Sequence, residues 1–348
     1  MSGERVPASF DRQRSIAYFK YNLQTLPEEY LGAEVNRLTL CYFCLSALEI
    51  LDALDVVEKK GVIDWIYNLQ IYPSSTSENF PREHSGFIGG TFLGGKFGDD
   101  DFGRKSCGHG HLAMKYTAIV SLVILGDDLS RLRKEDIVRA LQGLQDENGN
   151  FVASVSGGER DLRFVYCAAV IARLLGRDDA FDKRKAAQFV RSCMNYDGGF
   201  GLSPGQESHG GAAYVAYASL VLMQMESTLS APEKRSLVKW CLRRQSGGFQ
   251  GRCNKLVDTC YSFWIGGTLQ MLGNKWLDMI DKDALRTYLL KGAQTKYGGF
   301  SKVPGTFPDV LHSYFGLCGL SLIGNKADAV KPITAMFGLS LDAAERIA

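Results

Sequence analysis

The motif Gly198-Gly199-Phe200 decides the fold, because it returns along the chain at a nearly constant spacing. It recurs at 247–249 and at 298–300, and in the divergent form Gly-Asn-Phe at 149–151. In chain order, the phenylalanines of these four copies are 49, 49 and 51 residues apart, and Gly-Phe at 86–87 resembles a still earlier copy. A repeat of this length, with two helices per unit, is typical of a helical array.

Each copy of the motif lies between two segments with helical periodicity. The amphipathic segments, which precede the turns, are 62–70, 137–145, 186–194, 237–245 and 285–294. The apolar segments, which follow the turns and are rich in small residues, are 112–125, 164–175, 212–223, 259–272 and 313–323. An apolar pattern also covers 36–55.

The apolar helices must be covered on both sides, because they have no polar face to present to water. We therefore predict an all-α fold, a closed α/α toroid of helical hairpins with Gly-Gly-Phe turns and a central cavity lined by the apolar helices. The glycines would allow the tight turn into each inner helix. An open solenoid is the alternative, but the sequence shows no obvious polar caps for its ends.

Composition is consistent with one domain over residues 1–348, made of an N-terminal helical lead-in (1–35), the hairpin repeats (36–324) and a C-terminal tail (325–348). A net charge of +2 without a basic block gives no reason to expect nucleic acid as a partner. No stretch resembles a signal peptide or a transmembrane segment. The nine cysteines lack framework spacing, so we expect reduced thiols and a cytoplasmic protein. Cys41 and Cys44 form a CxxC that we interpret as two buried side chains.

Polar and titratable residues recur at similar distances after the turn phenylalanines. His209 and Asp258 follow theirs by nine residues and Cys260 by eleven. His312 and Arg163 follow theirs by twelve. These positions are the starts of inner helices, so a closed ring would gather them at one mouth of the cavity.

Asp258, Cys260 and His312 are candidate zinc ligands. Each is a standard ligand type, and three protein ligands leave a fourth position open, as in catalytic zinc sites. Residues two apart in mid-helix point in nearly opposite directions, so this hypothesis requires Asp258 to lie at the helix start. Taken singly, the three would be a helix cap, a core thiol and a helix-start histidine. Their shared spacing favours zinc.

A second set of side chains near the same helix starts could hold a group with two or three negative charges. The set comprises His209, Arg252, Lys255 and the Tyr261 hydroxyl, and helix N-termini would assist it. The alternative for Arg252 and Lys255 is a solvated loop. An apolar cavity below a cationic mouth suggests a long lipid with a phosphate head.

The Gly-Gly-Phe hairpins, with the runs VDTCYSFW at 257–264 and DVLHSYFG at 309–316, resemble the β subunits of the protein prenyltransferases. The resemblance extends from about Asn36 to Gly324. It implies one catalytic Zn²⁺ per β subunit on the three candidate ligands, and a heterodimer with a helical α subunit. The diphosphate and isoprenoid contacts that it implies are His209, Gly210, Gly211, Arg252, Lys255, Tyr261 and Trp264.

Two positions distinguish the farnesyltransferase, the type I geranylgeranyltransferase and the Rab geranylgeranyltransferase within this family. Thr39 stands where the farnesyltransferase carries a tryptophan that blocks the pocket floor, so a twenty-carbon isoprenoid would fit. Lys302 stands where the farnesyltransferase and the Rab enzyme carry an aspartate associated with magnesium. Because a lysine can itself neutralise the diphosphate, no Mg²⁺ requirement is expected. Both features resemble the type I enzyme.

The resemblance implies transfer of the geranylgeranyl group from geranylgeranyl diphosphate to the cysteine of C-terminal CaaX sequences, with X mostly Leu, in proteins such as small GTPases. A zinc-bound thiolate would attack C1 of the lipid, and the side chains of the anion-binding set, with Lys302, would stabilise the leaving diphosphate. Trp264 and Phe200 would pack against the isoprenoid. The residues implied for the peptide and lipid pocket are Thr39, His111, Phe164, Arg163 and Leu311.

Other functions remain open from the residues alone. A farnesyltransferase or Rab geranylgeranyltransferase β subunit would share the fold and the zinc site. A terpene cyclase would need a DxDD acid, which is absent from the sequence, and the DDxxD at 178–182 reads as a solvated interhelical loop. A non-enzymatic scaffold would leave the spacing of the zinc candidates unexplained, and a zinc hydrolase lacks an evident general base. His109 and the Gly- and Asp-rich insertion at 94–108 have no assigned role.

Overall fold

The computed structural model describes residues 9–72, 82–91 and 109–346. The insertion predicted at 94–108 lies outside the described residues.

The fold is built almost entirely from helices, as predicted. In chain order, the helices are α1 (Arg12–Gln24), α2 (Arg37–Ile50), α3 (Lys59–Asn68), α4 (Leu112–Leu125), α5 (Lys134–Leu144), α6 (Leu162–Leu174), α7 (Lys183–Ser192), α8 (Gly210–Met223), α9 (Ala231–Leu242), α10 (Tyr261–Leu272), α11 (Asn274–Leu277), α12 (Lys282–Thr287), α13 (Val310–Ile323) and α14 (Leu341–Glu345). A π-helical turn at Tyr288–Ala293 extends α12, and a 3₁₀ segment at Glu28–Asn36 leads into α2.

Six apolar helices form a closed inner ring, which confirms the predicted toroid and excludes the open solenoid. Helix α2 packs against α4, and the contacts continue from α4 to α6, α8, α10 and α13. Helix α13 then packs against α2, which closes the ring. The amphipathic helices stand outside, as α5 shows, because it buries one apolar stripe and exposes its charged face.

The Gly-Gly-Phe turns join each outer helix to the next inner helix. The five turn phenylalanines have no exposed surface. Gly149 shows why glycine is needed, because it has a φ of +87° and a Cβ there would lie 2.2 Å from the backbone of Lys185 in α7. The turns therefore reverse the chain and also pack closely against the neighbouring hairpin.

Four of the outer helices begin three residues before their predicted starts, and α9 begins six residues before its own. Their first turns are polar, and side-chain caps mark the real starts of α3, α7, α9 and α12. These caps are Glu58, Asp182, Ser230 and Asp281. The apolar periodicity that the sequence reveals begins only one turn further along the helix.

Short antiparallel strand pairs were not predicted. Their bounds are β1 (Gln70–Ile71) with β2 (Gly86–Phe87), β3 (Val152–Ser154) with β4 (Gly157–Arg160), β5 (Gln245–Ser246) with β6 (Gly248–Phe249), and β7 (Ile333–Thr334) with β8 (Leu339–Ser340). Three pairs lie at or just after the hairpin turns. There the chain enters and leaves side by side, so its backbone groups pair with one another.

The fourth strand pair belongs to the tail and enters the ring from the end where the inner helices finish. Lys331 N–H donates to the carbonyl of Ile50 at the end of α2, 2.9 Å away. Further in, the hydroxyl of Tyr214 donates to the carbonyl of Ala335 at 2.8 Å, and that of Tyr314 donates to the carbonyl of Gly338 at 2.6 Å. The tail thus fills one end of the ring and leaves the other end to the helix starts.

No helix in the described ranges combines the length and the apolar character needed to cross a membrane.

Candidate active site

Four inner helices begin at a capped residue, and these starts lie at one end of the ring. The side chains of His111, Asp161, His209 and Asp309 accept hydrogen bonds from the first N–H groups of α4, α6, α8 and α13. Capping satisfies N–H groups that have no partner within the helix. This requirement explains why polar residues recur at similar distances after the turns.

Asp258, Cys260 and His312 come together at this end of the ring. One oxygen of Asp258, Sγ of Cys260 and a ring nitrogen of His312 all lie within 4.8 Å of one another. Asp258 and Cys260 precede the first residue of α10, so the condition that Asp258 lie at the helix start is met. Asp258 Oδ1 accepts from the backbone N–H of Cys260 at 3.0 Å, which fixes the carboxylate beside the thiol.

His312 lies between two carboxylates. Its Nε2 is 3.2 Å from Oδ1 of Asp258, and its Nδ1 is 2.7 Å from Oδ2 of Asp309. Burial alone would lower the pKa of His312, but hydrogen bonds with Asp258 and Asp309 and their negative charges outweigh it and raise the pKa to about 9. The surroundings of this imidazole therefore favour a positive charge between the carboxylates.

The same surroundings shift the pKa values of Cys260 and Asp258 in opposite directions. Burial, reinforced by the charge of Asp258, raises the pKa of the Cys260 thiol well above its ordinary value. Burial also tends to raise the pKa of Asp258, but hydrogen bonds with His312 and Cys260 leave it below its ordinary value. The cluster thus holds a carboxylate beside a thiol that needs a further positive charge to ionise.

The cluster suits zinc better than a harder cation. Its donor set is one oxygen, one sulfur and one nitrogen, and thiolate and imidazole are typical zinc ligands, whereas magnesium prefers oxygen alone. Asp309 holds the second ring nitrogen of His312, an outer contact that is typical of zinc-bound histidines. The residues present therefore fit a zinc ion.

Lys302 approaches the cluster from the solvent side. Its Nζ is 3.9 Å from Oδ2 of Asp258, and its side chain is 61% exposed. The backbone around it is fixed, because its carbonyl accepts from the N–H of Thr259 at 3.0 Å. The ammonium group therefore stands at the mouth, where it can reach an anion beside the cluster.

His209 and Tyr261 form a hydrogen-bonded pair next to the cluster. Nδ1 of His209 accepts from the N–H groups of Gly211 and Ala212 at 3.0 and 3.3 Å. The proton of a neutral ring must then sit on Nε2, which donates to the Tyr261 hydroxyl oxygen at 2.8 Å. Burial and the charge of Arg252 lower the pKa of His209, so it is neutral near pH 7, whereas the sequence places it in a cationic set.

Two glycines leave the space in which the Tyr261 ring lies. A Cβ on Gly251 would be 2.0 Å from the Tyr261 ring, and one on Gly210 would be 2.8 Å from it. The two glycines are joined, because Gly210 N–H donates to the carbonyl of Gly251 at 2.8 Å. A Cβ on Gly211 would press on the His209 ring at 2.9 Å. Gly210 and Gly211, which the resemblance implied, and Gly251, which it did not, therefore leave room for the His209–Tyr261 pair.

Arg252 and Lys255 lie in the loop before Asp258. Arg252 forms an ion pair with Glu207 at 3.0 Å, with both side chains substantially exposed, and Lys255 is exposed. Neither touches the cluster, so the solvated-loop alternative describes their present positions. The loop nevertheless carries both cations at the same end of the ring as Lys302.

Aromatic rings line the inside of the ring beyond the cluster. The Trp264 ring centroid is 4.1 Å from that of Phe315 and 4.8 Å from that of Tyr214. Trp264 is partly accessible, as is Tyr116, so the ring is not completely filled at this level. Phe200, by contrast, has no exposed surface and lies in the turn core, where it cannot reach a lipid.

The residues implied for the peptide and lipid pocket fall into two places. The rings of His111 and Phe164 are 5.9 Å apart, and the Arg163 guanidinium lies 5.5 Å from the Phe164 ring centroid. Thr39 donates to the sulfur of Met114 at 3.7 Å, on the neighbouring pair of helices α2 and α4. Leu311 lies in the first turn of α13, partly exposed, next to His312.

Three acidic residues near the site were missed from the sequence. Asp309 bonds to His312, Asp161 forms a salt bridge with Arg163 at 2.7 Å, and Glu207 pairs with Arg252. Asp309 and Asp161 could have been identified from the sequence as helix caps, because aspartate is a preferred residue immediately before a helix. The Asp161 carboxylate also accepts hydrogen bonds from Nε and Nη2 of Arg163, which fixes the position of the guanidinium.

The remaining motifs do not join this site. Cys41 and Cys44 are buried in α2, as predicted. In the DDxxD segment, Asp178 pairs with Lys183, Asp179 pairs with Arg177, and both carboxylates are largely exposed, which confirms the solvated loop. His109 forms a ring contact with His84, with their Nδ1 atoms 2.9 Å apart.

Known proteins of similar sequence and structure share this architecture. Residues 10–339 match the family model described as the prenyltransferase alpha-alpha toroid domain. Over 98% of its length the chain is 41% identical to the geranylgeranyl transferase type-1 subunit beta of Arabidopsis thaliana, and it covers 92% of that protein. The corresponding subunit of Dictyostelium discoideum is 36% identical over 89% of this chain and 90% of its own length.

A solved structure agrees with these relatives. The Candida albicans protein geranylgeranyltransferase-I complexed with GGPP superposes with a TM-score of 0.85 at 25% identity, covering 97% of this chain and 98% of that one.

Proposed function

Because the chain belongs to the prenyltransferase alpha-alpha toroid family, we propose that it is the catalytic β subunit of a type I protein geranylgeranyltransferase. It transfers the geranylgeranyl group from geranylgeranyl diphosphate to the cysteine thiol of C-terminal CaaX sequences, with X mostly Leu. Small GTPases are the expected class of protein substrate, and a helical α subunit completes the enzyme as a heterodimer. The observation that carries this proposal is the convergence of Asp258, Cys260 and His312 within 4.8 Å at the mouth of the ring.

These three residues would hold one Zn²⁺ ion per β subunit. When bound, zinc supplies a positive charge that deprotonates a coordinated thiol and makes a thiolate available at neutral pH. The chain prepares this site by orienting His312 through Asp309 and by fixing the Asp258 carboxylate with the Cys260 N–H. The high pKa of the unligated Cys260 thiol supports a role as a ligand that ionises only next to a cation.

The chain stabilises the leaving diphosphate with a neutral donor and several cations. Since Nε2–H of His209 donates to the Tyr261 oxygen, the Tyr261 O–H is left to donate to a phosphate oxygen. Lys302, Arg252 and Lys255 supply positive charge around this donor. Because Lys302 is a cation at the mouth, no magnesium ion is needed to neutralise the diphosphate.

The lipid and the peptide occupy the inside and the mouth of the ring. Trp264 offers an aromatic wall to the isoprenoid, and the small side chain of Thr39 leaves room for a twenty-carbon chain. His111 and Phe164 shape the pocket for the last residue of the CaaX sequence together with Leu311. Arg163 orients the peptide, with its guanidinium held in place by Asp161.

The experiment that tests this proposal combines metal analysis with transfer activity. The chain is purified with its α subunit, and zinc is measured for the unaltered protein and for Cys260→Ser. We expect one zinc per β subunit in the unaltered complex, little zinc in the variant, and a loss of transfer that follows the loss of zinc. A scaffold protein would give no transfer with either form, and a variant that keeps zinc and activity would contradict the assignment of the ligand.

A further inference from the structure

Thr259 stands between two of the proposed zinc ligands in the sequence and is not itself a ligand. It separates Asp258 from Cys260 just before α10, and its side chain has no exposed surface. Its methyl group packs over Gly316 in α13, where a Cβ would come within 3.2 Å of it. Thr259 therefore belongs to the contact between two hairpins on which the zinc cluster also depends.

Both polar groups of Thr259 bind the segment of chain that follows the turn at 298–300. The hydroxyl donates to the carbonyl of Ser301 at 2.7 Å, and the backbone N–H donates to the carbonyl of Lys302 at 3.0 Å. Ser301 is itself only 1% exposed, and its N–H donates to the carbonyl of Ala293 at 2.9 Å. One residue thus holds two consecutive carbonyls, which fixes both the position and the direction of the backbone at Lys302.

Tyr288 adds a second link between the same two segments. It is the first residue of the π-helical turn that extends α12, and such turns are frequent at functional sites. Its hydroxyl lies 3.3 Å from the carbonyl of Val257 and 3.4 Å from that of Lys302. A Cβ on Gly248 would lie 2.6 Å from the Tyr288 ring, so this glycine leaves the space that the ring occupies. The two contacts of the hydroxyl are long, so they are weaker than those of Thr259.

These backbone contacts matter because little else holds the Lys302 side chain in place. The side chain is 61% exposed, and in the described part of the chain its ammonium group forms an ion pair only with Asp258, at 3.9 Å. The position of the ammonium group is therefore set mainly by where its backbone is fixed. A cation stabilises a leaving anion best when it is already in place as the negative charge develops.

We propose that Thr259 is a positioning residue for the transfer reaction, because it fixes the backbone of Lys302 to the segment that carries Asp258 and Cys260. Lys302 is thereby held at a constant distance from the zinc cluster and meets the diphosphate as it leaves the lipid. Tyr288 supports the same connection from the outer layer. The effect on transfer rests on the proposed function, which assigns Lys302 to the diphosphate. The connection between the two segments does not depend on that assignment.

The connection is tested by hydrogen exchange, which needs no transfer activity. Thr259→Val replaces only the hydroxyl by a methyl group of similar size. Deuterium uptake of the peptide that spans residues 301–307 is measured by mass spectrometry in the zinc-loaded heterodimer. We expect uptake about fivefold faster than in the unaltered complex, because the segment loses a donor that holds it.

The matched control for this variant is Thr268→Val in α10. Thr268 is also fully buried, and its hydroxyl donates to the carbonyl of Trp264 at 2.7 Å within the same helix. This control removes an equivalent buried hydroxyl that makes no contact with 301–307. Equal uptake by residues 301–307 in the two variants would overturn the proposal.

The effect on transfer is tested by steady-state kinetics and metal analysis. Thr259→Val should lower kcat about tenfold and change the KM for geranylgeranyl diphosphate less, since Lys302 acts on charge that develops during the reaction. Thr259→Ser keeps the hydroxyl and should retain most of kcat. Tyr288→Phe should lower kcat by a smaller factor, and it tests the same connection if Thr259→Val does not fold. An unaltered kcat, or a loss of zinc from Thr259→Val, would overturn the proposed action through Lys302.

The deciding measurement combines each variant with Lys302→Ala. If Thr259 acts through Lys302, Thr259→Val should change kcat by less than about twofold once Lys302 is absent. A merely structural effect would lower kcat by the same factor with and without Lys302, and this result would overturn the proposal, as would full activity of Lys302→Ala alone. A complex that gives no transfer, but in which Thr259→Val still speeds uptake by residues 301–307, would instead show a failure of the proposed function.

Discussion

Nε2 of His312 lies 3.2 Å from Oδ1 of Asp258, although the two residues belong to different hairpins of the ring. Asp258 precedes α10, and His312 is in the first turn of α13. Helices α10 and α13 pack directly against each other, so this contact depends on ring closure and not on local sequence. Any zinc bound there would link two hairpins and would stabilise the fold as well as serve the chemistry.

We predict that Asp309→Asn weakens zinc binding by about tenfold to a hundredfold, because Asp309 orients the His312 ring and carries the charge behind it. Asparagine is also a good helix cap, so the zinc-free protein should still fold, with only the loss of the stabilisation that Asp309 gives to the protonated His312. Competition with a zinc chelator measures the affinity. Asp161→Asn, the same change at the cap of α6, is the matched control and should leave zinc binding unaltered. Equal zinc affinity in both variants would contradict the role given to Asp309.

We predict that Tyr261→Phe lowers kcat/KM for transfer by about tenfold to a hundredfold, because it removes the hydroxyl, paired with His209, that we propose as a donor to the diphosphate. The zinc content should not change, since Tyr261 is not a ligand. Steady-state transfer to a CaaX peptide is the measurement. Tyr196→Phe serves as control, because Tyr196 is fully exposed. A Tyr261→Phe variant with unaltered kcat/KM would show that the hydroxyl does not assist the reaction.

We predict that Gly251→Ala has an effect on transfer at least as large as that of Tyr261→Phe, because its Cβ would lie 2.0 Å from the Tyr261 ring. The ring must move, and the bond to His209 would then be lost. Gly32→Ala is the control, since a Cβ at Gly32 meets no atom within 4 Å. Transfer activity and thermal stability are compared for both variants. Normal activity in Gly251→Ala would mean that the position of Tyr261 is not critical.

We predict that Lys115→Met stabilises the protein. Lys115 is fully buried in α4, and its amine has no hydrogen-bond partner in the described part of the chain. Burial lowers its pKa to about 7, whereas an exposed lysine titrates near 10.4. Between these values the unfolded chain binds more protons than the folded chain, so the contribution of Lys115 to the free energy of unfolding rises with pH and is lowest below about pH 7.

Lys115→Met should therefore raise the free energy of unfolding by on the order of 2 kcal/mol near pH 7, and this increase should become smaller towards pH 10. Urea unfolding at several pH values gives the free energy of unfolding of both proteins. Lys20→Met is the matched control, because Lys20 is exposed on α1 and should show no such dependence. A stability difference that does not vary with pH would mean that packing, and not the charge of Lys115, is responsible.

Much of the fold could be predicted from the sequence because its repeat has a simple physical meaning. Helices that are apolar all round must be enclosed, and buried turn phenylalanines at a fixed spacing show how often the chain reverses. A closed ring is the economical way to satisfy both facts, and the packing of α13 against α2 confirms it, together with the meeting of Asp258 and His312. The requirement that Asp258 lie at the helix start could be predicted from the sequence, because side chains two residues apart within a straight helix point in nearly opposite directions.

Other features depend on contacts that no periodicity reveals. The neutral state of His209 follows from its burial and the charge of Arg252, and its tautomer follows from the N–H groups of Gly211 and Ala212, which occupy its Nδ1. The tail enters the ring because the hydroxyls of Tyr214 and Tyr314 bind its carbonyls, and the sequence gives no local sign of that pairing. Asp309 could have been identified from its place before α13, but its bond to His312 depends on the side-chain geometry.

The central claim is tested most directly by transfer from the zinc-loaded complex with an α subunit in magnesium-free buffer. Farnesyl and geranylgeranyl diphosphates are each offered with CaaX peptides that end in Leu or Ser. We predict efficient geranylgeranylation of the Leu peptide without magnesium, because we propose that Thr39 leaves room for the longer lipid and that Lys302 takes the place of the magnesium ion. Farnesylation of the Ser peptide in preference, or an absolute need for magnesium, would contradict the type I assignment, and no transfer at all would contradict the enzyme itself.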